Sequence, residues 1–130
     1  MADPVWKETK MYGEDAGDAA FSQVTGAKKV LPSGYKMTVL DIVVGSDMPV
    51  GHQDFYVVKV DGDGTTVLAE YGPIRFWVDG FEHVVPAGLV FSGGKDNQDR
   101  DYSIELWAVE DTGAVVPRTG TVLYRIEQES

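Results

Sequence analysis

The sequence predicts an all-β fold: an antiparallel β-sandwich, jelly-roll-like, of about eight strands with an extended N-terminal arm. Three observations carry this. Between Lys36 and Glu110, short runs rich in β-branched and aromatic residues alternate apolar with polar, the period-2 pattern of half-buried strands. Gly, Pro and Asp clusters cut these runs at short intervals, so the connections read as turns rather than as crossover helices. No segment carries the i, i+3, i+4, i+7 apolar stripe of an amphipathic helix.

With 130 residues the chain has the length of one domain. A domain of that size buries roughly two-thirds of the surface its unfolded chain exposes. Residues 1–30 read as an arm and residues 31–130 as the sandwich. In the arm the apolar residues Val5, Trp6, Met11, Tyr12, Phe21 and Val24 are scattered among Gly13, Glu14, Asp15, Gly17 and Asp18 with neither helical nor strand period. Its aromatics argue against a disordered tail, because disordered segments are poor in them.

Strand signals begin after Leu31-Pro32-Ser33-Gly34. Thr38 to Val44 places Leu40, Ile42 and Val44 on one face. Phe55 to Val60 places Tyr56, Val58 and Val60 on one side and Lys59 opposite. Asp61-Gly62-Asp63-Gly64 turns the chain into Thr65 to Tyr71, a hairpin. Gly72-Pro73 ends that strand, and Ile74 to Val78 sets Ile74, Phe76 and Val78 against Arg75 and Trp77. Asp79-Gly80 is a second tight turn into Phe81 to Val85. Pro86-Ala87-Gly88 then precedes the short run Leu89-Val90-Phe91. Gly93 to Arg100 is a polar loop, Tyr102 to Val109 a long strand and Asp111-Thr112-Gly113 a turn. Thr121 to Glu127 is the last strand, with Val122, Tyr124 and Ile126 on one face.

Composition narrows the function classes. The net charge of −10 comes from 21 acidic against 11 basic residues, spread along the chain without an acidic tail or a basic patch. Nucleic-acid binding needs clustered Lys and Arg, so no nucleic acid is expected as a partner. No membrane is expected either, since anionic lipids would repel the chain, whereas a basic partner surface would attract it. With no cysteine there is no disulfide framework, thiolate nucleophile or zinc ribbon. The N-terminus lacks the basic and apolar regions of a secretory signal, and no apolar run approaches the roughly 20 residues of a spanning helix. Synthesis in a cytoplasm is the expectation.

The candidate chemistry is thin. Lys59 to Gly64 with Glu70 approaches the spacing of a calcium loop, but Lys59 stands where the first carboxylate belongs, and a hairpin turn explains the Asp and Gly residues. Asp96, Asn97, Asp99 and Asp101 offer a weaker cation site, or simply a solvated loop. His52 and His83 lack metal-like spacing. Ser92 lacks the preceding glycine of a nucleophile elbow, and Glu105 with Asp101 or Glu110 reads as a solvent-facing acidic strand rather than a glycosidase pair. The chain is therefore expected not to be an enzyme and to carry no cofactor and no metal. Trp77 and Trp107 lie opposite the Ile74/Phe76/Val78 and Ile104/Leu106/Ala108 faces. If those faces form the core, both indoles point outward, as at a subunit interface or a sugar-stacking platform; otherwise the strands bury both faces.

The succession Thr38 to Val44, Phe55-Tyr56-Val57-Val58, a Gly/Asp hairpin, Phe81 to Val85, Pro86-Ala87-Gly88 with its apolar sequel, a Gly/Asp/Asn loop and Ser103 to Glu110 resembles the small jelly-roll proteins of tailed bacteriophage particles, notably capsid decoration (cement) proteins. The resemblance covers about Tyr35 to Glu110. It implies a homotrimeric, non-enzymatic virion component on the capsid surface, bound to the major capsid protein of a phage shell. The N-terminal segment is outside the pattern and becomes the candidate docking element. Trp6, Tyr12, Phe21, Trp77 and Trp107 are the expected partner-binding residues. A tail or fibre protein binding a host receptor, and a carbohydrate-binding module, are the other readings.

Overall fold

A computed structural model describes residues 8–17, 20–46, 52–77, 83–110 and 117–129. Eight strands run in chain order: β1 (Glu8–Asp15), β2 (Ser22–Leu31), β3 (Tyr35–Ser46), β4 (His52–Val60), β5 (Val67–Trp77), β6 (His83–Ser92), β7 (Tyr102–Glu110) and β8 (Arg118–Gln128). They form two four-stranded sheets of order β1-β8-β3-β6 and β2-β7-β4-β5, and the pairings described are antiparallel. This interleaving, in which the chain crosses between the sheets at most connections, is a jelly roll. The expected fold class holds, and no helix occurs among the described residues.

The division into an arm and a sandwich does not. β1 pairs with β8 from Glu8↔Arg125 to Asp15↔Arg118, and β2 pairs with β7, so residues 8–15 and 22–31 belong to the sandwich itself. Met11, Val24, Ala27 and Leu31 join the core. Without them the inner face would lose one strand from each sheet. Residues 1–7, including Trp6, lie outside the described residues.

The core lies between the sheets, built from Met37, Val39, Ile42 and Val44 of β3, Phe55 and Val57 of β4, Ile104, Leu106 and Ala108 of β7, and Val122 and Tyr124 of β8. Each fully buried large side chain contributes roughly 1.5–3 kcal/mol. Two faces differ from the alternation read in the sequence. In β3 the pairing with β8 shifts between Val39 and Asp41, so Leu40 sits in a bulge and Met37 and Val39, not Leu40, precede Ile42 and Val44 on the inner face. In β4 the core-facing residues are Phe55 and Val57. Tyr56, Val58 and Val60 share the opposite face, and Val58 and Val60 are nonetheless fully buried. The strand buries both faces along much of its length.

Gly72-Pro73 does not separate two strands. β5 runs through it with a cis peptide bond and a register shift against β4. Pro86-Ala87-Gly88 is likewise internal to β6, opposite the β3 irregularity. The second tight turn expected at Asp79-Gly80 lies outside the described residues, as does the turn at Asp111-Thr112-Gly113.

Candidate functional site

The register of β2-β7-β4-β5 orders its outer face in rows. Glu70, Val58, Glu105 and Lys28 stand opposite one another across β5, β4, β7 and β2. Tyr56, Trp107 and Gln23 form the next row, and Asp54 with Val109 the one after. The segment between β1 and β2 brings Phe21 onto this face. Its ring meets Tyr56 edge-on at 5.0 Å between centroids and Trp107 at 4.9 Å with a 59° tilt. Such ring pairs add about 0.5–1.5 kcal/mol each beyond the area they bury.

In the row beside Tyr56 and Trp107 lies Glu105, 2% exposed. Its carboxylate accepts hydrogen bonds from Gln23 Nε2 (3.0 Å), Ser103 Oγ (2.6 Å) and Trp107 Nε1 (2.8 Å). Every contact comes from a donor, as an acceptor-only carboxylate requires. The network fixes the Trp107 indole and ties β2 to β7. Beside it a shallow open groove of about 310 Å³ is lined by Phe21, Tyr56, Glu70 and Val109.

Of the five residues expected to bind a partner, the fold brings two together, Phe21 and Trp107. Phe21 packs back on its own sheet rather than reaching out on an arm. Trp107 does face away from the core, half-buried. Tyr12 is on the other sheet, half-exposed, its hydroxyl donating to Glu14 Oε2 at 2.9 Å. Trp77 pairs with His52 at the end of β5, and its side chain, like Trp6, lies outside the described residues. Sequence reasoning missed Tyr56, Glu70, Val109 and the buried Glu105. The available signal was the period-2 spacing of Ser103, Glu105 and Trp107, which places all three on one face.

The two Asp-rich loops use their carboxylates on themselves. Asp63 accepts from Thr65 N, Thr66 N and Thr66 Oγ at 2.6–2.9 Å, and these bonds, that from the Thr66 hydroxyl foremost, hold its carboxyl well below the usual range. The segment is a hairpin turn between β4 and β5. Asp96 accepts from Gln98 N, Arg100 N and Arg100 Nε. Desolvation would raise its carboxyl, but these donors and the Arg100 charge outweigh that and lower it. Among the described residues no three His, Cys, Asp or Glu side chains converge as a metal site.

A second polar cluster closes one end of the sandwich. Arg118 occupies a core-facing position of β8 and is 1% exposed. It donates to Asp15 Oδ1 and Oδ2, Ser22 Oγ and the carbonyls of Gln23 and Ala108, linking β8 with β1, β2 and β7. Burial would raise the Asp15 carboxyl. The Arg118 guanidinium, together with the Thr25 and Gly17 N–H groups, instead holds it down at about 2.

No protein-family model matches the chain, and no curated protein matches it in sequence. Among solved structures, 97% of the chain aligns with a chain of the VP2 subviral particle of infectious bursal disease virus, at a TM-score of 0.56 and 13% identity. It aligns over 99% of its length with a chain of the Gx strain of the same virus, at a TM-score of 0.53 and 10% identity. The chain spans about a third of the length of those chains, 33% and 34% respectively. At these identities the similarity is one of fold.

Proposed function

We propose that this chain is a structural protein of a virus particle, a decoration protein that binds the outer surface of a phage shell as a homotrimer and stabilises it. The observation that carries the reading is the jelly roll itself, which aligns almost end to end with part of a chain that builds a subviral particle. The outer face of β2-β7-β4-β5 suits the contact. It presents the Trp107 indole, held by a buried carboxylate, with Phe21 packed between it and Tyr56, and preorganised aromatics are enriched at interface hot spots.

Such a protein stabilises a shell by mass action. A ligand that binds only the assembled state adds RT ln(1 + [L]/Kd), about 2.7 kcal/mol per site at a hundredfold excess over Kd. Three linked copies strengthen the attachment without any new contact. The partner is the major capsid protein, and the protein is made in the host cytoplasm before it reaches the particle surface.

The test is the copy number of the polypeptide relative to the major shell subunit in purified particles from a lysate of the source culture. A ratio near one, or a fixed simple fraction, is expected. A handful of copies would replace decoration with a tail or fibre role, and absence would end the virion reading.

A further inference from the structure

The groove beside Trp107 has one wall with unfinished chemistry. Glu70 is exposed on β5 and lines the groove, and its carboxylate has no hydrogen bond or ion pair among the described residues. Two strands away in the same row, beyond Val58, Glu105 is fully engaged by three donors. Phe21, Tyr56 and Val109 complete the described lining. An unpaired carboxylate sharing a groove with aromatic rings, in a chain of net charge −10, is complementary to a cation with a flat or apolar body.

We propose that this groove receives a basic side chain of the partner protein, best an arginine, whose guanidinium stacks on Tyr56 and pairs with Glu70. The inference rests on the reading that this face meets a protein partner. Arginine fits better than lysine because its planar group can lie on a ring while its N–H fork meets a carboxylate in two bonds. It also fits better than a sugar. The Glu70 carboxylate and the net charge of −10 favour a cation over a neutral sugar, and with Phe21 at 75° to Tyr56 and at 59° to Trp107 the three rings do not form one flat platform.

The experiment uses the full chain, isotopically labelled for NMR, titrated with acetyl-Gly-Arg-Gly-amide and with the same peptide carrying citrulline, the neutral counterpart of arginine. The expected result is a set of amide shifts confined to the surroundings of Phe21, Tyr56, Glu70 and Val109. The arginine peptide should bind about tenfold tighter than the citrulline peptide, and added salt should shrink the difference. Glu70→Gln, an exposed substitution that leaves the fold intact, should reduce the arginine peptide to the citrulline level.

Equal binding of both peptides, shifts scattered over other acidic surfaces, or no shift at all would overturn the proposal. Shifts of the same amides by cellohexaose and not by the arginine peptide would assign the groove to a glycan instead. A chain absent from particles that still takes the arginine peptide here would lose the shell reading but keep this one. A chain present in particles whose groove ignores the peptide would lose only this one.

Discussion

Arg118 Nε donates a 2.7 Å hydrogen bond to Asp15 Oδ1, joining the last strand to the first where the guanidinium is 1% exposed. A charge at that depth is tolerated only when paired and fully hydrogen-bonded. Arg118 makes five hydrogen bonds to four residues on three other strands, Asp15 of β1, Ser22 and Gln23 of β2 and Ala108 of β7. The residues once separable as an arm are thereby fastened to both sheets.

Removing the counter-ion should therefore be costly. Asp15→Asn keeps the shape but leaves a buried guanidinium without its anion, and is expected to cost about 3 kcal/mol. Urea unfolding monitored by circular dichroism measures the difference. A loss below about 1 kcal/mol would mean the pair behaves as an exposed surface bridge.

The same pair makes a pH prediction. The Asp15 carboxyl lies at about 2 in the folded chain against an ordinary 3.8. A depressed carboxyl contributes stability that is fully present above the unfolded value and is lost as pH falls through the folded one. Stability should decline from about pH 4 down to about pH 2, and Asp15→Asn should flatten part of that decline. Asp63 and Asp96, also lowered, account for a remaining slope. Parallel wild-type and variant profiles across that window would contradict the assignment.

Gly13 tests the placement of β1 independently of charge. A Cβ there would fall 2.6 Å from Val24 O and 2.7 Å from both Thr25 O and Ala27 N, all backbone atoms that cannot turn aside. Gly13→Ala should lose about 3 kcal/mol in thermal or chemical unfolding. Gly34→Ala, with open space around its Cβ but a φ of +90°, should cost less, about 1 kcal/mol.

The buried acid on the outer face can be tested by one atom. Glu105→Gln can keep its carbonyl oxygen toward Gln23 and Trp107 and donate its NH2 to Ser103 Oγ, but it removes the charge that strengthens all three bonds and reverses the one to Ser103. A cost of about 2 kcal/mol is expected, with a shift of the Trp107 indole N–H resonance. An unmoved indole signal would show that the carboxylate does not hold that ring.

These residues also explain what the sequence could reveal. The alternation of Ile104, Leu106 and Ala108, and of Val122 and Tyr124, is regular, and those faces lie where the period placed them. The total of eight strands agrees with the expectation for a different reason. Two strands precede Tyr35, while Gly72-Pro73 and Pro86-Ala87-Gly88 lie inside strands instead of ending them.

β1 was illegible because its second inward position is Gly13: Lys10, Tyr12 and Glu14 face out and Met11 and Gly13 face in, but a glycine carries no apolar mark. β2 was illegible because an irregularity between Gln23 and Lys28 spaces its buried residues, Val24, Ala27 and Leu31, by three and four. The site was half legible. Trp107 could be placed on an outer face, whereas Phe21, Tyr56 and Glu70 meet there only through the crossing of the sheets. Arg118 could have been suspected from its place in the inward series with Gly120, Val122 and Tyr124.

The central claim, that the outer face of β2-β7-β4-β5 is turned toward a shell, is tested most directly by a cryo-electron-microscopy reconstruction of the purified particle at side-chain detail. The account predicts eight-stranded density on the shell surface with Tyr56, Glu70 and Trp107 buried against the shell subunit. The same sandwich with that face open to solvent, or a surface without it, would contradict the claim.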